Sequence, residues 1–300
     1  MGSAGPVISA SALVKRYGAI TALAGLDLAV PQGAVYGFLG PNGAGKTTAV
    51  KLLLGLTRPT SGLARVLGAP SGSREARRRV GYLPELFRYQ HWLNAREVLA
   101  LHCALAAQPR DLWSRAIGAA LQTVGLEGRE DGRVGTFSKG MQQRLGLAVA
   151  LLGEPEVVFL DEPTSALDPV GRHDVREIIR DLRSRGATVF LNSHLLTEVE
   201  LVCDRIAIVN RGRIIAEGTL DGILGRDEVR VRVTGLDAFT VLAPFGTVTT
   251  TGEWLAVRDV APERVPDLVA ALVAAGGRVH AIEPRRGTLE ERFLELLGES

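Results

Sequence analysis

The stretch Gly40-Pro41-Asn42-Gly43-Ala44-Gly45-Lys46-Thr47 follows the apolar run Ala34-Val-Tyr-Gly-Phe-Leu39 and precedes the helix-compatible Ala49-Val-Lys-Leu-Leu-Leu54. The order is strand, glycine loop, helix. The spacing G-x-x-x-x-G-K-[ST] suits a loop that cradles phosphate. Gly40, Gly43 and Gly45 let the backbone turn tightly, with several N–H groups aimed at one anion and no Cβ in the way. The helix that begins near Gly45 adds the positive end of its dipole. Lys46 can then reach the β- and γ-phosphates of a nucleotide, and Thr47, followed by Thr48, offers a hydroxyl to Mg²⁺. A plain glycine turn with a surface lysine would not require this flanking strand and helix.

Working outward, Glu156-Val-Val-Phe-Leu-Asp-Glu-Pro163 is an apolar run closed by two carboxylates. A strand apolar on both faces belongs at the centre of a parallel sheet, and polar groups at its C-terminal end fall where such folds place ligands. Asp161 is suited to hold the Mg²⁺ that Thr47 also touches, and Glu162 to orient or deprotonate an attacking water. Capping a helix is the structural alternative for both. Ala187-Thr-Val-Phe-Leu191 reads as another buried strand, ending at Ser193-His194. His194 is either a satisfied buried histidine or a γ-phosphate contact.

Before the loop, Val7 to Val14 and Leu23 to Val30 predict antiparallel strands, with Lys15-Arg-Tyr-Gly18 between them. Tyr17 is there for ordinary packing or as a platform for a base. Arg74, Arg77, Arg78 and Arg79 read as a solvated helix face. Val80 to Glu85 predicts a short strand stopped by proline, followed by the aromatic segment Phe87 to Trp92. Helical spacing runs from Asn94 to about Gly125. A further helix is predicted from Lys139 to Leu152, with Met141, Leu145, Ala148, Val149 and Leu152 on one side and Gln142, Gln143 and Arg144 on the other. Asp174 to Arg185 reads as an amphipathic helix, and Ile206 to Ala216 as a hairpin with a glycine turn.

Three hundred residues, 46% of them hydrophobic, suffice for one substantial core and a smaller one. We expect an α/β phosphate-loop domain over residues 1–225, with an antiparallel β subdomain and a helical subdomain at about 86–152. A small C-terminal α/β domain is expected over 226–300, where strands and helices follow in the order βαββαβ plus a last helix. A net charge of +2 makes no case for nucleic acid. Cys103 and Cys203 lack metal spacing and read as buried thiols in a reducing compartment. No secretory leader and no bilayer-spanning apolar run is legible, so a cytoplasmic chain is expected, with any membrane role passing through a partner.

Residues 7 to about 220 resemble the ATP-binding subunits of ABC transporters. Gly40 to Thr47 matches the Walker A loop, Val157 to Asp161 the Walker B strand, and Glu162 the catalytic glutamate. Tyr17 matches the adenine-stacking aromatic, and Phe137-Ser138-Lys139-Gly140-Met141 with Gln-Gln-Arg144 the signature. Ser165-Ala-Leu-Asp168 matches the D-loop and His194 the switch histidine. Two motifs depart from the family pattern: Lys139 replaces a glycine of the signature, whose glutamine position Met141 takes, and Glu85 stands where most relatives carry the glutamine that couples the site to the permease. The Tyr-Leu-Pro-Glu and Ser-Lys-Gly-Met-Gln combinations, with Thr288 to Glu295 at the end, look like the branch that serves ABC-2 type exporters. The resemblance implies ATP and Mg²⁺ as cofactors, Lys46, Glu162 and His194 as catalytic groups, and a second copy or a related ATPase supplying Ser138 to Gly140 in trans. It also implies an ABC-2 type permease at the inner face of the membrane, reached through Glu85 and the aromatic segment. A soluble ABC ATPase acting on nucleic acid or ribosomes is the alternative; it usually carries two cassettes or a long coiled coil, and neither is present. A nucleotide-gated scaffold is a third possibility, against which Glu162 argues.

Overall fold

The alternating segment that opens the chain forms a hairpin in the computed structural model, which describes residues 5–165, 167–224, 228–258, 260–285 and 287–298. Strand β1 (Ile8–Tyr17) pairs antiparallel with β2 (Ile20–Val30), so Tyr17 ends a strand that continues past the predicted one. Next come β3 (Val35–Leu39), α1 (Lys46–Leu53), β4 (Ser61–Val66), β5 (Ala69–Pro70), α2 (Arg74–Arg77) and β6 (Val80–Leu83). The predicted insert follows as α3 (Ala95–Leu105) and α4 (Arg110–Thr123). It is two helices because Pro109 lacks the N–H that a continuous helix needs. Then come α5 (Lys139–Leu151), β7 (Val157–Asp161), α6 (Pro169–Ser184), β8 (Thr188–Asn192), α7 (Leu196–Val202), β9 (Arg205–Asn210) and β10 (Arg213–Thr219). Helix α6 starts earlier than the predicted Asp174, because Asp168 caps it and Pro169 occupies its first turn.

Two sheets build this first unit, which ends at Gly218. One has the order β2-β1-β4-β5, the other β10-β9-β3-β8-β7-β6. In the second sheet β9, β3, β8, β7 and β6 run parallel. Every residue of β3, β7 and β8 is buried, as strands covered on both faces must be. The buried side of α1 (Ala49, Val50, Leu52, Leu53) joins Leu13, Leu26 and Leu28 of the first sheet to Phe38, Phe159 and Phe190 of the second in one core. No helix among the described residues is long and apolar enough to cross a membrane.

Gln143 and Arg144 find partners that the helical pattern does not show. The side of α5 opposite the apolar residues is not left to water: Gln143 is 5% exposed, and Arg144 reaches Asp174 on α6. Their long polar side chains find partners on neighbouring elements, which a one-helix pattern does not reveal. The aromatic segment divides in two. Phe87 and Tyr89 pack against each other with ring centroids 5.3 Å apart, while Leu86 and Trp92 are 87% and 72% exposed.

From Thr219 onward a second unit contains α8 (Leu220–Leu224), β11 (Glu228–Thr234), α9 (Ala238–Leu242), β12 (Thr247–Thr251), β13 (Trp254–Arg258), α10 (Val265–Ala274), β14 (Arg278–Arg285) and α11 (Leu289–Gly298). The boundary expected after residue 225 falls among residues outside the described ones. The sheet is antiparallel with order β12-β13-β11-β14, the split βαβ arrangement. Val229, Val231 and Val257 from its strands meet Leu242 of α9 and Leu268 and Leu272 of α10 in a core of its own. Leu272→Ala should cost this unit about 2–5 kcal/mol. Hydrogen exchange should quicken across β11–β14 while β3, β7 and β8 keep their protection.

Candidate nucleotide site

The parallel strands bring their C-terminal ends to one edge. Phe38 and Asp161 both lie in register with Asn192, and Leu83 with Leu160. The phosphate loop, Asp161-Glu162, Ser193-His194 and Glu85 therefore emerge side by side, although they are far apart in the chain.

The loop needs its glycines for two distinct reasons. Gly40 passes so close to β9 that a Cβ would lie 2.3 Å from the Val209 carbonyl oxygen. Gly45 has φ +103° and a Cβ there would lie 2.4 Å from the Ala22 oxygen. Ala44 is held by bonds from its N–H to Pro41 O (3.2 Å) and to its own O from Gly212 N (2.9 Å). Asn42 and Gly43 are exposed at the tip, Thr47 is exposed and Thr48 half-buried on the first turn of α1. Lys46 Nζ donates to the carbonyls of Gly40 (2.6 Å) and Pro41 (3.1 Å). Burial pulls the Lys46 pKa down, and the carboxylates of Glu162, Asp161 and Glu85 oppose that pull.

Asp161 is buried, and loss of hydration raises its pKa; a bond from Asn192 Nδ2 (2.5 Å) works the other way. Glu85 and Glu162 push the pKa up further, and Lys46 counters them. Asn192 was not singled out in the sequence. A polar residue ending an apolar strand was the readable signal. Its Oδ1 is buried and, among the described residues, has no hydrogen-bond partner.

Glu162 sits in the left-handed region at φ +55°, an unusual place for a side chain with a Cβ. The residue is held on all sides. Its N–H donates to Asn192 O (2.8 Å), and its carbonyl accepts from Ser165 N (3.3 Å) and Ser165 Oγ (3.1 Å). His194 N donates to Glu162 Oε1 (2.9 Å), and His194 Nδ1 lies 2.7 Å from Oε2. The glutamate is 8% exposed, while the His194 side chain is 58% exposed. The exposed ring sets aside the reading of His194 as a buried histidine.

The remaining predicted residues lie on other elements. Tyr17 is half exposed at the end of β1, with Lys15 Nζ 4.8 Å above its ring. Ser138 caps α5 by accepting from Met141 N (3.2 Å), and Asp168 caps α6 by accepting from Gly171 N (2.7 Å). Ser138, Lys139, Gly140, Met141, Leu167 and Asp168 line one open concavity, to which the phosphate loop does not contribute. Ala166 of the D-loop lies outside the described residues.

A glycine loop opening a helix, beside an acidic strand end with a glutamate–histidine pair, defines a phosphate-loop ATPase. Comparison with known proteins narrows the class. Residues 23–165 match the ABC transporter domain. The chain is 40% identical over 286 residues to an ABC transporter ATP-binding protein of Nostoc sp., covering 92% of this chain and 83% of that one. It is 37% identical over 294 residues to the Nod factor export ATP-binding protein I of Burkholderia orbicola, covering 95% and 94%. The solved structure of the ATP-binding subunit of an ABC transporter superposes with a TM-score of 0.67 at 32% identity, over 72% of this chain and 91% of that one. The chain belongs to the ABC transporter ATP-binding proteins and is an ATP hydrolase.

Gly45→Ala should lower stability by roughly 1–3 kcal/mol, because an L side chain is forced into a strained φ against the Ala22 carbonyl. Urea denaturation without nucleotide measures this, and ATP affinity should fall with it.

Proposed function

We propose that this ATP-hydrolysing transporter subunit powers an exporter with an ABC-2 type permease, working as a pair of cassettes that close on two ATP molecules. The observation that carries the catalytic part is the buried Glu162 carboxylate, braced through both oxygens by His194 beside the phosphate loop. The exporter assignment is supported by the Nod factor export relative, which aligns over nearly its whole length. A single set of motifs in the chain supports two copies, or one copy with a related ATPase. The concavity around Ser138 to Gly140 is the face offered to the ATP held by the partner.

In this reading adenine stacks on Tyr17, the loop from Gly40 to Thr48 wraps the phosphates, and Lys46 moves its charge from the loop carbonyls to the β- and γ-oxygens. Water attacks the γ-phosphorus while Glu162 takes its proton; the bond to the β–γ bridging oxygen breaks and ADP leaves with the electron pair. His194 keeps Glu162 in place. The oxygen donors fit Mg²⁺: a buried carboxylate with a raised pKa and a threonine hydroxyl are the sparse protein set that this ion uses alongside phosphates. Asp161 and Thr47 would hold it, and it supplies charge neutralisation at the phosphoryl oxygens. ATP acts as an interfacial ligand that shifts the closed population, and hydrolysis releases it.

Closure passes to the permease through Glu85 and the exposed Leu86 and Trp92. The chain thus works at the inner membrane face, held there by its partner. The second unit, with its independent core, supports the pair of cassettes.

Glu162→Gln should abolish turnover and trap an ATP-dependent dimer, read by phosphate release and light scattering; normal turnover by this variant would sink the assignment of the base. Tyr17→Ala should weaken ATP binding by about 1–3 kcal/mol and Tyr17→Phe should restore it, as stacking requires. Calorimetric titration distinguishes the two.

A further inference from the structure

Two adjacent side chains of α5 tie the helix that begins at the signature to the segment that follows Glu162. Gln143 Nε2 donates to the Pro163 carbonyl at 3.0 Å from a buried position. Arg144 Nη2 donates to Asp174 Oδ2 on α6 at 2.7 Å, and its Nη1 to Val124 O at 3.3 Å. Pro163 directly follows Glu162, in the turn that Ser165 closes on the Glu162 carbonyl. Asp174 lies beyond Asp168 on the helix that Asp168 caps. The D-loop is therefore anchored at both ends to α5. Between the anchors, Leu167 lies against the signature, where a Cβ at Gly140 would be 3.4 Å from Leu167 Cδ2.

We propose that Gln143 is a positioning residue that carries the state of the signature face to Glu162 within one chain. The inference rests on the two-cassette reading. There, Ser138 to Gly140 touch the ATP of the partner, while Glu162 of the same copy serves its own ATP. The Gln143–Pro163 bond then joins the two ATP sites: seating ATP on the signature of a copy sets the turn that holds that copy's glutamate. The turn is suited to respond, because Glu162 occupies a left-handed conformation that persists only while its surroundings hold it. Coupling between sites is carried by packed side chains, hydrogen bonds and rigid elements that have two arrangements. Here it is one helix, one side-chain bond and one turn.

The test uses the full chain with Gln143→Met, which keeps the length of the side chain and removes the donor. ATP turnover is followed against ATP concentration, and ATP-driven dimerisation is measured by light scattering with Gln143→Met added to Glu162→Gln. Gln143→Met should lower kcat roughly tenfold, as a small misplacement of a catalytic group does, and lower the Hill coefficient of turnover below that of the wild-type chain, leaving only the coupling that closure on two ATP molecules supplies. The ATP concentration that half-assembles the dimer should stay within about twofold of that for Glu162→Gln alone, since closure through the signature is unchanged. Wild-type kcat and Hill coefficient in Gln143→Met overturn the proposal. So does a parallel loss of dimerisation, which reduces Gln143 to a packing residue. If Glu162→Gln by itself never dimerises with ATP, the two-cassette reading fails and this inference falls with it; if it dimerises while Gln143→Met is silent, only this inference fails. Should Gln143→Met lose its cooperative melt, Gln143→Asn, whose shorter amide withdraws from Pro163, carries the same comparison.

Discussion

Strands buried on both faces leave a polar side chain one place to emerge, the end of the strand. β3, β7 and β8 are buried at every position, so their chemistry is pushed to the C-terminal edge, where the phosphate loop, Asp161, Glu162 and His194 collect. The rest of the first unit serves that edge. Helix α1 turns its apolar face into the core between the two sheets and presents its N-terminus with Gly45 and Lys46. The parallel register aligns three strand ends, so no single loop has to build the site.

Gathering charge at a half-dry edge has an electrostatic cost that the site distributes. Lys46 faces three carboxylates, of Glu162, Asp161 and Glu85, while burial disfavours its own charge. Asp161 is held against protonation by Asn192 and Lys46 and pushed toward it by burial. In the proposed function, polyphosphate and a hard cation would each relieve a different part of this imbalance. Beside Asp161, Glu162 keeps a strained backbone conformation that five neighbouring hydrogen bonds maintain.

Of the residues that depart from the family pattern, Lys139 and Glu85 are exposed. Lys139 is exposed at the first position of α5, where the helix dipole disfavours a cation, so helix stability does not explain it. Glu85 is exposed just past β6 but close enough to act on Lys46, Asp161 and Tyr82. A carboxylate there adds negative charge between Lys46 and Asp161 on one side and the exposed Leu86 on the other.

Much of this was legible in the chain itself. The phosphate loop is a local motif whose glycines, cation and hydroxyl act within eight consecutive residues, so spacing alone identifies it. Apolar runs ending in carboxylates or in Ser-His marked the sheet edge, and the βαββαβ order of the second unit could be read from alternation and helical period. What the tertiary structure decided was pairing across distance. His194 could have been a buried packing residue until β8 was laid beside β7, and Asn192 drew no attention before its amide met Asp161. Gln143 and Arg144 could be placed only on the side of α5 opposite its apolar residues, because a periodicity argument sees one helix and not the neighbours that accept their bonds. Residue spacing within a segment determines local conformation and phosphate chemistry; which polar group satisfies which across the fold is set by the packing of segments that the sequence keeps far apart.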